Sequence, residues 1–137
     1  MKDSVAPAWC NEYRKIPYVS CGRTREGLDC YGIVVLVNRE RFGRIVPDYQ
    51  YKNSVDQDEI APLIVKNLPL DWVQVTTPQE GDLIMFQIAQ RPWHCGIWVA
   101  DNLMLHAIDG FASGIDRLDS LRWHRRLMGY YRPMSAS

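Results

Sequence analysis

The chain has 137 residues, 47% of them apolar, with 16 lysines and arginines against 16 aspartates and glutamates. That length suits one compact domain, residues 1–137, with its own core. The zero formal charge argues against broad electrostatic binding to nucleic acid or an anionic membrane.

No apolar run approaches the roughly 20 residues that span a bilayer. Residues 1–7 lack the apolar core of a signal peptide, which predicts a protein made in the cytoplasm and not exported by that route. Cys10, Cys21, Cys30 and Cys95 could pair into two disulfides on arithmetic alone; a cytoplasmic origin favours free thiols.

In chain order, residues 6–15 read as a short helix. Pro7 suits a first turn, and Trp9, Cys10 and Tyr13 fall on neighbouring positions. Ile16-Pro17-Tyr18-Val19 breaks it and runs extended. Residues 20–27 form a polar, glycine-containing loop. Residues 30–42 carry Ile33, Val34, Leu36 and Val37 on a broad apolar face. The valines make a buried strand the competing reading, but length and the Arg39-Glu40-Arg41 tail before Gly43 favour a helix. Residues 47–58 open with Pro47-Asp48-Tyr49-Gln50-Tyr51. They are either a loop beside a binding cleft or a surface loop held by tyrosine packing. Residues 58–67 form an amphipathic helix with Ile60, Leu63 and Ile64 on one side, and residues 72–75 a short strand.

The second half changes character. Gly81-Asp82 turns into a buried strand at residues 83–86. Residues 94–99 and 103–107 give two more strands, joined through Ala100-Asp101-Asn102, good hairpin chemistry. Residues 110–114 form a loop, residues 118–126 a helical turn and residues 129–132 a closing strand. Helices followed by consecutive strands predict an α+β domain with an antiparallel sheet.

The candidate chemistry begins at Cys30, where a glycine-rich loop becomes a helix. A helix N-terminus carries partial positive charge and unpaired N–H groups. A cysteine there tends toward thiolate, the form that attacks carbonyls. Taken alone, such a cysteine is more often a small buried residue. Two histidines on the predicted hairpin change that balance. A two-residue loop at Asp101-Asn102 pairs residue 97 with residue 106 and sends His94 and His106 to opposite faces. An odd-length loop pairs 98 with 106 and puts them on one face. The sequence leaves both registers open. On one face, one imidazole can deprotonate a thiol while the other orients it. Zinc ligation by His94, His106 and a cysteine is disfavoured: no Cys-x-x-Cys pair supports it, and His94 and Cys95 are adjacent in a strand and point apart. His124, beside Trp123 and the arginines at 122, 125 and 126, reads as a satisfied polar residue on a solvated face.

Three blocks resemble the NlpC-type cell-wall cysteine peptidases, a bacterial branch of the papain-like fold. Pro17-Tyr18-Val19 through Gly22, then Gly27-Leu28-Asp29-Cys30-Tyr31-Gly32, resembles the family's "P-Y-x-x-G-G … G-x-D-C-S-G" segment. Gly81-Asp82-Leu83-Ile84-Met85-Phe86 resembles its "G-D-L-x-x-F" strand. His94-Cys95-Gly96-Ile97 and His106-Ala107 resemble its "H-x-G-I … h-H-A" hairpin. Arg41-Phe42-Gly43, Pro47-Asp48-Tyr49 and the ending Gly129-Tyr130-Tyr131-Arg132 look like members encoded in phage tail modules.

The resemblance implies a papain-like domain with Cys30 as nucleophile, His94 as general base and later acid, and His106 orienting His94. It implies Tyr18 near the substrate or oxyanion, Asp29 holding a free peptide amine, and the Cys30 N–H as an oxyanion donor. The implied reaction is hydrolysis of peptidoglycan stem peptides, commonly between D-glutamate and a diamino acid, through a thioester. It implies no cofactor or metal, a wall-peptide substrate, and phage tail proteins as partners in a virion acting at the cell wall. Two other expectations stand beside it: a thiol amidase or acyltransferase with an apolar cleft, and a catalytically silent tail protein. Tyr31 replaces the family serine and Cys21 the first glycine of the pair; a Cys21–Cys30 disulfide would abolish nucleophilicity. A wall peptidase should show a polar groove around Asp29 and residues 49–51.

Overall fold

The structure, a computed structural model, describes residues 5–134. A 3-10 helix, Ala8–Tyr13, opens the chain. A two-stranded ribbon follows, β1 (Arg23–Thr24) and β2 (Gly27–Leu28). Then come α1 (Cys30–Arg41), α2 (Gln57–Asp71) and the strands β3 (Trp72–Val75), β4 (Leu83–Ile88), β5 (Arg91–Ala100), β6 (Leu103–His106), β7 (Gly114–Arg117) and β8 (Leu127–Pro133). These six strands form one antiparallel sheet in the order β3-β8-β4-β5-β6-β7. The α+β architecture, helices first and sheet second, is the one the sequence predicts.

Strand alternation sorts the sheet into two faces. Leu83, Met85, Cys95, Ile97 and Leu105 meet Ile33, Val34, Leu36 and Val37 of α1, with Trp9 and Tyr13 completing the cluster. The opposite face carries Ile84, Phe86 and Met104 beneath Leu118 and Trp123. β4 is therefore buried on both sides, which is why residues 83–86 are apolar without alternation. Each such fully buried side chain contributes about 1.5–3 kcal/mol.

α1 starts where Asp29 caps it: the side chain accepts from the Gly32 N–H at 2.7 Å. Gly32 has no alternative, since a Cβ there would lie 1.9 Å from the Gly22 carbonyl oxygen. The helix ends as expected, with the Phe42 N–H on the Asn38 carbonyl and Gly43 at φ +59.

Three expectations need correction. The β1–β2 ribbon, residues 23–28, replaces the second half of the loop expected at residues 20–27. α2 runs on to Asp71, through Pro62 and Pro69, and its last turn is closed by the Trp72 N–H on the Leu68 carbonyl. Residues 118–126 are a string of turns rather than a helix, held by the wholly buried Trp123; the strand just before them, β7, has no counterpart among the elements the sequence predicts.

Asp82, in the Gly81-Asp82-Leu83 block, is fully buried and takes two bonds from Arg132 on β8, at 2.9 and 2.6 Å. Removing Arg132 strands the buried Asp82 charge, whereas Arg132 itself reaches solvent. Arg132→Ala should lower the unfolding free energy by about 3–5 kcal/mol, read from urea denaturation. A loss below about 1 kcal/mol, the scale of a surface pair, would show the bridge to be decorative.

Candidate active site

Cys30 is the first residue of α1, half-buried, at a position where the backbone N–H has no intrahelical acceptor. All four cysteines are free thiols, so the Cys21–Cys30 disulfide is not formed. Cys21 is exposed and donates to the Tyr51 carbonyl at 3.2 Å.

The hairpin register is a third one: the turn has the two-residue length, but the pairing beyond it matches neither expected register. Asp101-Asn102 makes the two-residue turn, with Ala100 paired to Leu103, but a bulge at Val99 then pairs Trp98 with Met104 and Ile97 with Leu105. The one-residue bulge restores the parity that a two-residue turn alone would break. His94 and His106 therefore share a face, and His94 Nε2 lies 2.8 Å from His106 Nδ1. Gly96 leaves room for this contact: a Cβ there would sit 3.1 Å from the His106 Cβ.

Both imidazoles are shielded, His94 at 4% exposure and His106 at 6%. Trp123 stacks on His94 with centroids 5.1 Å apart and meets His106 edge-on at 5.3 Å. Burial pushes the His94 pKa well below its ordinary value, and the neighbouring His106 and the Arg122 cation push the same way. Burial also drives His106 down, to about 4, against the raising effect of the Asp116 carboxylate. Both rings are thus neutral at neutral pH, as a base needs. The bond to His106 uses Nε2 of His94, which leaves Nδ1 for a thiol.

Cys30 and His94 open on one cleft of about 270 Å³, shared with Tyr18, Ser54, Gln57, Asp109 and Arg122. The Tyr18 hydroxyl is 2.8 Å from Ser54 Oγ, and burial raises its pKa, so it stays a protonated donor. Gln57 Oε1 is buried without a hydrogen-bond partner among the described residues. Arg122 lies over the Trp123 ring at 5.1 Å. Gln57 and Asp109 carry no signal in the sequence, and Arg122 and Trp123 belong to the cluster at residues 122–126, which the sequence presents as a solvated face.

Asp29 sits beneath the site. It is 0% exposed, and its oxygens accept from Gly32 N, Arg23 Nη1 (2.8 Å), Cys21 N (3.0 Å) and the Tyr51 hydroxyl. Its acceptor capacity is taken up in capping α1 and anchoring Arg23 and Tyr51, so the expected amine-binding role finds no free oxygen.

Cys95 points to the face opposite His94, as strand alternation requires, but that is the face of α1. There it lines one cavity with Cys30, and the neighbouring Cys30 thiol together with burial holds Cys95 protonated. Tyr49 and Tyr51 line a second, apolar cavity of about 60 Å³ with Tyr31, Leu68 and Trp72, which also reaches Cys30 and Cys95. The polar groove thus lies on the Tyr18 and Asp109 side, not beside residues 49–51.

A thiol at a helix start, opening on the same cleft as a bonded histidine pair from an antiparallel sheet, defines a papain-like site. The NlpC/P60 family profile matches residues 15–132, and the chain belongs to that family. It is 25% identical over 126 residues to the murein DD-endopeptidase MepS/murein LD-carboxypeptidase of Escherichia coli K12, covering 92% of this chain and 60% of that protein. It is 28% identical over 116 residues to the probable endopeptidase NlpC of the same strain, covering 80% and 64%. The chain thus spans under two thirds of the length of these relatives. Among solved structures, an NlpC/P60 protein from Bacillus cereus aligns with TM-score 0.65 and 22% identity, over 96% of this chain and 42% of that one. The NlpC/p60 domain of the peptidoglycan hydrolase SagA aligns with TM-score 0.59 and 20% identity, over 93% and 94%. No helix among the described residues is long and apolar enough to cross a membrane.

Proposed function

We propose that this chain is a cysteine endopeptidase acting on peptidoglycan stem peptides, at the amide between D-glutamate and the diamino acid. The observation that carries the reading is the opening of Cys30 and the His106-bonded His94 on one polar cleft. Cys30 Sγ attacks the carbonyl carbon as its proton passes to His94 Nδ1. The Cys30 N–H and the Tyr18 hydroxyl receive the developing oxyanion. Collapse expels the amine, which takes the proton from His94 and leaves a thioester. Water, deprotonated by His94, then hydrolyses the thioester and restores the thiol. Asp109 and Arg122 offer opposite charges to a substrate bearing free carboxylates and amines, and Gln57 Oε1 an acceptor for a substrate N–H. The phage-tail setting belongs to this proposal and rests on the sequence blocks around Arg41-Phe42-Gly43, Pro47-Asp48-Tyr49 and Gly129-Tyr130-Tyr131-Arg132.

A thiol acyltransferase acting on an apolar amide is favoured by the apolar cavity that reaches Cys30. His94 lies on the polar cleft and not on that cavity, which puts the base with the peptide reading. Digestion of muropeptides of known structure, with products identified by mass, tests the choice. The expected products are a fragment ending in D-glutamate and a peptide beginning with the diamino acid. Cleavage of the D-alanyl cross-link instead, or intact muropeptides alongside hydrolysis of an acyl amide, would overturn it.

A further inference from the structure

The histidine chain continues past His106. Asp116, on β7, places Oδ2 3.5 Å from His106 Nε2. The same oxygen accepts the Trp123 indole N–H at 2.8 Å. The carboxylate is therefore pinned by the residue that stacks on His94. Register brings it there: Asp116 pairs with Met104, which lies on the same face as His106 two residues further on.

We propose that Asp116 is a positioning residue that selects the tautomer in which His94 can act as a base. The inference rests on the reading of Cys30 as nucleophile and His94 as its base. A neutral imidazole carries one N–H. Two neutral rings sharing one N···N bond therefore have two arrangements. In the first, His106 directs Nε2–H toward Asp116, and its Nδ1 accepts from His94 Nε2–H. His94 Nδ1 then holds a lone pair and can take the Cys30 proton. In the second, His106 Nδ1–H donates to His94 Nε2, and His94 carries its proton on Nδ1, where it cannot accept one. That arrangement also aims the lone pair of His106 Nε2 at a carboxylate, so Asp116 opposes it.

The other groups facing the pair do not make this selection. Arg122 disfavours protonating either ring, whichever tautomer is present. Phe86 and Trp93 offer His94 ring contacts, and Trp123 gives its N–H to Asp116. When the Cys30 proton reaches His94 Nδ1, the imidazolium keeps Nε2–H on His106 Nδ1. The Asp116 charge stabilises it through the intervening ring, and Asp116 itself gains no proton.

Asp116→Ala, compared with Asp116→Glu in a Cys21→Ser background, tests the role. On a defined muropeptide, Asp116→Ala should lower kcat by about 10²-fold with KM little changed. That is less than the roughly 10⁴-fold seen when an acid adjoining the catalytic histidine loses its charge, because one more ring intervenes. Asp116→Glu should restore most of the rate. Imidazole ¹⁵N shifts should report Nε2–H on both rings in the parent and Nδ1–H on His94 in Asp116→Ala, and iodoacetamide should alkylate Cys30 more slowly in that variant. The last two readouts need no substrate, so they test the positioning role even if the parent cleaves no muropeptide, a result that would count against the proposed function instead. Unchanged ¹⁵N tautomers in Asp116→Ala, or a kcat within twofold of the parent, would overturn the inference; so would a rate loss matched by a lower melting temperature with tautomers unmoved.

Discussion

Cys30→Ala should fold like the parent and hydrolyse no measurable wall peptide, a fall on the order of 10⁴- to 10⁶-fold, the scale of losing a triad nucleophile. The fold should survive because the cap of α1 belongs to Asp29 and its close packing to Gly32, not to the thiol. Alanine is the best helix former. Thermal melts and circular dichroism check the fold, and release of peptide from a defined muropeptide checks the activity. A scaffold with a vestigial site gives a second expectation to measure against. The buried Cys10, whose pKa is pushed up to about 11 mainly by burial, and the buried Cys95 should resist alkylation. In a Cys21→Ser background, prompt labelling by iodoacetamide should then vanish on Cys30→Ala. Slow labelling of Cys30 in the parent, together with hydrolysis that persists in Cys30→Ala, would place the chemistry elsewhere.

How much of this was legible in the sequence follows from the range over which each signal acts. The start and stop of α1 were readable because capping is local: Asp29, Gly32 and Gly43 lie within or beside the helix they define. That Cys30 and the two histidines are candidate site residues was readable from the same short blocks. Their meeting was not. It depends on one bulged residue, Val99, whose effect is to shift pairing along the whole hairpin. Nothing about valine marks it as bulged. The extent of α2 was hidden for another reason. Pro62 and Pro69 lie inside it, where proline ordinarily breaks a helix, yet the last turn is closed by the Trp72 N–H on the Leu68 carbonyl. Asp29 shows the limit of matching residues by position. The motif marks it as functional, and its surroundings then occupy every oxygen with backbone and side-chain donors. Asp116 and Trp123 lie in a strand and a set of turns with no periodic signal, so their approach to His106 is visible only in three dimensions.

Stability should fall steeply as pH drops from about 6.5 toward 4. The sign follows from which state binds more protons. Burial depresses the pKa of His94 and His106 in the folded chain, while the unfolded chain holds them near their ordinary 6.5. The unfolded state therefore gains protons first, and unfolding becomes easier through that window. Above 6.5 both states leave the rings neutral and the contribution is fully present. For His106, a drop from 6.5 to about 4 corresponds to on the order of 3 kcal/mol lost by the bottom of the window. His94, shifted the same way, adds to it. Urea denaturation at pH 7, 6, 5 and 4.5 reads the slope directly. His106→Gln should flatten it, because glutamine has no proton to gain. Equal stability at pH 7 and pH 5 would mean that water reaches the rings and that the aromatic cage of Phe86, Trp93 and Trp123 does not hold. The same shifts predict that activity lost on acidification should track unfolding instead of protonation of the base near pH 6.5, since His94 keeps its lone pair for as long as the cage is closed.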